Sequence, residues 1–179
     1  MLRWAYKKRY WYRMGHRQAL RAVKVPGILH VHGSFSSNGF GQLYFYTETL
    51  TAKLMKKIYT KTVLPSAQKM FGLKRKCWTL MEDNDKKQEP NLCKKWKADN
   101  KVNRMTFPAN SGDLQPIENV WGLFKNKLKY KQRSSVKALK RGFKREWNQL
   151  PRSYAQVLCD SKNDRLTAVI KTQGDYILY

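Results

Sequence analysis

The sequence predicts an α/β domain, and three observations carry that reading. Two β-branched and aromatic segments flank a glycine-rich turn within residues 28–48, the pattern of a hairpin. A short apolar run, a helical pattern and a second short run fill residues 76–107 with short joints; strand, helix, strand in that order implies a crossover and a parallel pair. Beyond Pro116 the apolar residues recur at helical spacing almost to the C-terminus. The 179 residues suit one domain with its own core, and a composition 41% hydrophobic and 13% aromatic excludes a disordered basic tail.

Residues 1–25 are basic and aromatic with weak periodicity, compatible with a strand, a ragged helix or an arm. "ILHVHGSFS", Ile28 to Ser36, follows Pro26-Gly27 and reads as a strand; "SSNGFG" is a turn and "QLYFYTE" the antiparallel return. In the next segment Leu50, Leu54, Ile58 and Val63 fall near helical spacing, which predicts one amphipathic helix perturbed at Pro65. "KCWTLM", Lys76 to Met81, is a short strand that runs into Glu82-Asp83-Asn84-Asp85. "EPNLCKKWKADN" is a helix with Pro90 near its first turn, and "VNRMTF" is the second parallel strand, followed by a loop from Pro108 to Gly112. Pro116 suits a first helical position, and Ile117, Val120, Trp121, Phe124 and Leu128 form one stripe behind it. Ser134-Ser135 can cap a second helix with Val136, Leu139, Phe143, Trp147 and Leu150 on one face. Pro151 stops it, and a third helix spans Tyr154 to Ile170.

The formal charge of +25, from 37 Lys/Arg against 12 Asp/Glu, favours a polyanion partner. DNA or RNA leads; an anionic membrane surface and a merely basic ribosome-associated protein are the alternatives. The acids are unevenly placed. Glu48 is the only one before Glu82, no aspartate precedes Asp83, and residues 119–145 hold ten Lys/Arg and no acid. Cys77, Cys93 and Cys159 form no C-x-x-C pair, which argues against a disulfide framework or zinc ribbon and for reduced thiols inside the cell. His16, His30 and His32 form no ligand set with them, and no stretch reads as a signal peptide or a membrane span.

Asp83 thus falls at the carboxyl end of a parallel strand and Glu118 in the first turn of a helix. The 34 residues between them are enough to bring the chain back to the same sheet edge, where chemistry in open α/β sheets gathers. Two carboxylates amid positive charge suit Mg²⁺, a hard ion that takes carboxylates together with water and phosphate oxygens. The basic stretch after Glu118 would then grip the polyanion. The plainer alternative keeps Glu118 as a helix-dipole partner and Asp83 and Asp85 as turn-formers.

"MEDND" after a strand and "SGDLQPIENVWGLFKNKL" at this spacing resemble the catalytic domain of mariner-superfamily transposases. The hairpin "VHGSFSSNGFGQLYF", the helix "LMKKIYTKTVLPSAQKMFG" and the ending with Trp147, Leu150-Pro151, Ser161, Arg165 and Gly174 fit the same family from about Tyr10 onward. The resemblance implies a ribonuclease H-like mixed sheet with helices on both faces and a helical C-terminus. It also implies a metal-dependent acid triad for DNA strand cleavage and transfer, Mg²⁺ (or Mn²⁺) as cofactor, DNA as partner, homo-oligomeric assemblies on transposon ends, and a nuclear location. Carried over, Asp83 is the second acid and Glu118 the third, Asn84 and Asp85 shape the site, and Trp121 packs beneath it. Lys125, Lys127, Lys129, Lys131, Arg133, Lys140 and Arg141 are the candidate nucleic-acid contacts, although on a helix the first four spread around the surface.

The departures are equally specific. The family's first aspartate lies on a strand upstream of the hairpin, whereas here Glu48 is the only earlier acid and ends the return strand. The expectation is therefore a sheet lacking its first catalytic strand, with no helix-turn-helix. Residues 1–25 would be a remnant and residues 26–179 an incomplete catalytic domain. Lys86, Gln88, Gly112, Gln115 and His32 also depart from the family's usual residues. A transposase-derived chain inactive by itself is the leading expectation; a charge-driven DNA-binding module and a non-functional pseudogene product are the alternatives.

Overall fold

The computed structural model describes residues 28–72, 78–82, 90–105, 111–128, 136–175 and 177, together with the backbone of residues 2–4 and 129. Strand β2 (Leu29–His32) lies between β1 (Leu2–Trp4) and β5 (Tyr44–Tyr46), antiparallel to both. Its alternation decides the architecture. Leu29 and Val31 point to one face, fully buried, while His30 stacks on Tyr46 at 4.9 Å on the other.

Each face is covered by helices. On the first, α4 (Ile117–Lys129) and α5 (Val136–Asn148) bring Val120, Trp121, Phe124, Leu128, Leu139, Phe143 and Trp147 into one core with Leu29 and Val31. Phe124 and Phe143 stack 5.4 Å apart, and Phe45 of β5 meets Phe143 edge-on. These are the stripes that the sequence predicts. On the second face, α1 (Ala52–Ile58) and α3 (Asn91–Asp99) enclose Tyr46, Leu54, Met55, Ile58, Tyr59, Cys93 and Trp96. Thr51 caps α1 by accepting the Leu54 N–H at 3.2 Å. Cys93 and Cys159 are free thiols, Cys93 being buried in this second core. Cys77 lies outside the described residues.

The perturbation predicted at Pro65 takes a definite form. The helix widens into a π-turn over Tyr59–Val63, closed by the Leu64 N–H on the Tyr59 carbonyl, and resumes as α2 (Leu64–Phe71). A proline has no N–H to give and its ring crowds the preceding turn, and the wider turn relieves both. The predicted crossover is present: β6 (Thr79–Leu80) pairs in parallel with β7 (Asn103–Arg104), with α3 between them in sequence, and the Met105 N–H extends the ladder to the Leu80 carbonyl at 2.9 Å.

Two expectations change. The single strand predicted over residues 28–36 is broken at Gly33, beyond which β3 (Phe35–Ser36) and β4 (Gly39–Phe40) form a small hairpin of their own. Two indoles press on the break; a Cβ at Gly33 would stand 2.7 Å from Trp147 Cη2 and 3.0 Å from Trp121 Cη2. Secondly, the edge of β2 is not bare. The chain pairs Leu2–Trp4 there, in register Leu2 with Val31 and Trp4 with Leu29, and none of the three residues is acidic. A strand from residues 1–25 thus covers this edge and brings no acid to it. The Ser134-Ser135 cap lies outside the described residues. The last helix, α6 (Arg152–Lys171), starts directly after Pro151.

Candidate active site

A cleft of about 390 Å³ opens where β2 ends, beside the carboxyl ends of β6 and β7 and the start of α4. His32, Tyr59, Glu82, Gln115, Ile117 and Lys162 are among its walls. Glu82 is the immediate neighbour of Asp83 and Ile117 of Glu118, so the flanks of both predicted acids meet at one cleft. Asp83, Asn84 and Asp85 themselves lie outside the described residues. Glu118 stands in the first turn of α4, exposed, with its N–H on the Gln115 carbonyl at 3.0 Å. Trp121, one turn further on, is 1% exposed and stacks on Trp147 at 5.7 Å, behind the cleft-lining Gly33.

Glu82 is anchored by three partners. Its carboxylate pairs with Lys97 of α3, stands 3.0 Å from Arg104 Nε on β7, and accepts the Tyr59 hydroxyl at 2.6 Å. The Lys97 ammonium also lies over the Tyr59 ring, 5.2 Å from its centre. Burial, then the adjacent Glu82 charge and the hydrogen bond it accepts, push the Tyr59 phenol far above its ordinary range, so it stays protonated as donor. The network joins the π-turn, β6, β7 and α3. It fixes the strand end from which residue 83 continues.

A second clamp fixes the other flank. Arg165 of α6, 2% exposed, donates to the Asp113 carbonyl at 2.7 Å, to Asn119 Oδ1 at 2.8 Å and to Ser161 Oγ at 3.1 Å. Asp113 in turn accepts the Leu114 N–H at 3.1 Å and the Ile177 N–H at 3.2 Å. The short 3₁₀ turn Gly112–Leu114 and the first turn of α4 are thereby held against α6. Between the two clamps, Lys162 Nζ approaches Met105 Sδ at 2.8 Å and Met81 Sδ at 3.4 Å, and burial lowers its pKa. His32 Nδ1 is buried without a hydrogen-bond partner, and burial brings the ring's pKa down to about 4. Burial raises the Cys93 and Cys159 thiols.

A divalent ion tests this donor set. Among the described residues no three His, Cys, Asp or Glu side chains gather as ligands. Of the two described carboxylates near the cleft, Glu82 is engaged by cations and Glu118 is exposed. The other oxygens that the sequence offers a hard ion, those of Asp83 and Asp85, lie outside the described residues.

The predicted nucleic-acid residues divide. Lys125, Lys127 and Arg141 are exposed and Lys140 half-buried on α4 and α5, while the Lys129 side chain, Lys131 and Arg133 lie outside the described residues. The acid-free run is less isolated in space than in sequence. Glu146, 6% exposed, folds back to stand 3.5 Å from Lys127 and 3.4 Å from Arg145.

Sequence reading missed both clamps. A signal existed for the first: Lys97 shares the buried face of α3 with Cys93 and Trp96, and a lysine at core spacing needs a partner. For the second, Arg165 and Asn119 are 46 residues apart and no periodicity links them.

The family described as DDE superfamily endonuclease matches residues 3–140. The transposable element Tcb1 transposase of Caenorhabditis briggsae is 28% identical over 148 residues, 83% of this chain and 53% of that protein. The Tc3 transposase of Caenorhabditis elegans is 28% identical over 156 residues, 86% of this chain and 46% of its own length. This chain therefore spans about half the length of the curated relatives it matches. Among solved structures, the catalytic domain of Mos1 mariner transposase superposes with a TM-score of 0.75 at 13% identity, covering 84% of this chain and 76% of that one. The Mos1 paired-end complex with Mn gives 0.79 at 12% identity, over 96% of this chain and 52% of that one. At such identity the likeness is one of fold, and it agrees with the small antiparallel and parallel sheets packed among helices here. Among the described residues, no helix is long and apolar enough to cross a membrane.

Proposed function

This chain belongs to the DDE superfamily of endonucleases, and from that premise we propose that it derives from a cut-and-paste DNA transposase and is catalytically defective as it stands. The observation that carries the reading is the cleft where the flanks of Asp83 and Glu118 meet, at the carboxyl ends of a parallel pair. Asp83 and Glu118 act as the second and third acids of a metal triad, with Asn84 and Asp85 shaping the site and Trp121 supporting it from the core. Mg²⁺ or Mn²⁺ is the ion these oxygens would hold; when bound it would supply Lewis-acid stabilisation for phosphodiester chemistry. No aspartate precedes Asp83, and of the two earlier acids Glu48 is exposed just beyond β5 rather than at the cleft, while Glu82 is engaged by Lys97, Arg104 and Tyr59. Phosphoryl transfer depends on positioning and charge, so two acids in place of three leave it without its machinery. Residues 1–25 are then the early part of the catalytic domain and residues 26–179 its remainder.

The partner is DNA, as in the Mos1 transposase paired-end complex with the left transposon end, and the location is the nucleus. Homo-oligomerisation belongs to the same reading. A non-catalytic, charge-driven DNA-binding role is the second reading, favoured by exposed Lys125, Lys127 and Arg141 on one helix pair.

The test is nicking of supercoiled plasmid by the purified chain in Mg²⁺ or Mn²⁺, beside Asp83→Ala and Glu118→Ala. No nicking is expected from any of the three. Metal-dependent nicking by the parent chain that both substitutions abolish would establish activity and overturn the assigned defect. Nicking that survives both would remove these acids from the reading altogether.

A further inference from the structure

Trp147 also lines a second concavity, of about 740 Å³, that the catalytic reading does not use. Its walls carry Lys69 of α2, Lys144 and Asn148 of α5, Arg152 of α6, and Asn38 and Gln42 of the hairpin. Among the described residues, three cations and three amides line it and no carboxylate does. Lys69, Lys144 and Arg152 are exposed.

The floor is built rather than incidental. Trp147 Nε1 donates to the Gly41 carbonyl at 2.7 Å, and the Gln42 N–H donates to Ser66 Oγ at 2.9 Å, so the hairpin is tied to α5 and to α2. Asn38 Nδ2 donates to the Met70 carbonyl at 3.1 Å while its Oδ1 accepts Arg152 at 2.8 Å. A Cβ at Gly41 would stand 2.7 Å from both Ser34 Oγ and Ser66 Oγ, so the hairpin backbone passes as close as glycine permits. Arg152 donates to the Ser37 carbonyl and to the Asn38 amide oxygen, which orient the guanidinium without neutralising it. Helix α6, 20 residues long, begins at this rim with Pro151 as N-cap, no side-chain cap and no acid in its first turn. Its amino-terminal amides and dipole add positive potential there.

We propose that this groove is a phosphate-backbone track for DNA, distinct from the cleft beside Glu82, with which it shares Ser66 and Met70, and from the predicted contacts Lys125, Lys127, Lys140 and Arg141. Cations held around a polar concavity suit a phosphate backbone, and the amides supply hydrogen bonds that read no sequence. The inference rests on the DNA reading above and deepens it, since it says where the duplex lies.

The experiment is binding of a fluorescent 20-base-pair duplex by the full chain, followed by anisotropy over a salt series. Lys69→Gln with Lys144→Gln removes two exposed cations of the groove. Lys53→Gln with Lys94→Gln removes the same charge from exposed positions on α1 and α3. The groove pair is expected to weaken binding roughly tenfold or more at moderate salt and to flatten the slope of log affinity against log salt by about two. The control pair is expected to leave the slope within experimental error. Adding Arg152→Gln should flatten it further, with thermal melts confirming that each variant folds. Equal losses from the groove and control pairs overturn this inference alone. A parent chain that binds no duplex overturns it together with the DNA reading.

Discussion

Two carboxylates near one cleft live opposite lives. Glu82, just beyond β6, lines the cleft and is buried among Lys97, Arg104 and Tyr59. Glu118, at the start of α4, is exposed, next to the cleft-lining Ile117. The cleft is thus held by one acid, while the other stands at the surface beside it. A sequence places both beside candidate chemistry, and only burial tells that Glu82 is a structural ion and Glu118 an available one. Each substitution below either breaks that contrast or sharpens it.

The largest effect belongs to the buried side. Glu82→Gln removes the anion and leaves the Lys97 ammonium in a site where its side chain is 8% exposed. Breaking one partner of a buried pair costs about 3–5 kcal/mol, and a fall of that size is expected in urea unfolding. Lys97→Met in the Glu82→Gln background should recover part of it, because the stranded charge is gone. Equal stability of parent and Glu82→Gln would mean the network is solvated and the contrast false.

Next is Arg165, the clamp on the flank of Glu118. Arg165→Gln forfeits the fork that reaches both the Asp113 carbonyl and Asn119 Oδ1. About 2–3 kcal/mol is expected, since hydrogen bonds from a charged donor are lost and buried acceptors are left unpaired. Arg165→Lys should rescue little, because an ammonium cannot span two acceptors. Rescue as complete as the parent would assign Arg165 a purely electrostatic role.

His32 adds a pH dependence. Its folded pKa, about 4, lies below the 6.5 of an unperturbed ring, so the unfolded chain takes up its proton first as pH falls. Its contribution is therefore fully present above about pH 6.5 and is lost between there and about pH 4. The residue as a whole is only partly buried, which reduces the loss to on the order of 1–2 kcal/mol. His32→Asn should flatten the stability profile over that window; an unchanged slope would show that other groups set it.

Legibility in the sequence followed the range of the interaction. The stripes of α4 and α5, the parallel crossover and the disturbance at Pro65 were readable because each rests on spacing within one element or between adjacent ones. The break at Gly33 was not, since the indoles that press on it, Trp121 and Trp147, come from far along the chain. Nor was the return of Glu146 to Lys127, which makes the basic run look purer in sequence than it is in space. The helix start at residue 117 was readable from Pro116 and the stripe behind it. The two clamps beside the cleft were not, because a buried ion's partners are chosen by tertiary contact and leave no period.

The smallest expected effect is the most discriminating. Glu118→Ala removes an exposed carboxylate from a first helical turn, where its interaction with the helix dipole is worth about 0.3–1 kcal/mol. A stability change no larger than that is expected, set against the several kcal/mol of Glu82→Gln one cleft wall away. An acid that helps the fold so little, on a rigid helix start held by Arg165, is free to serve a ligand. If Glu118→Ala instead unfolds the chain as Glu82→Gln does, Glu118 is a second structural ion, and the cleft loses the one described acid available for chemistry.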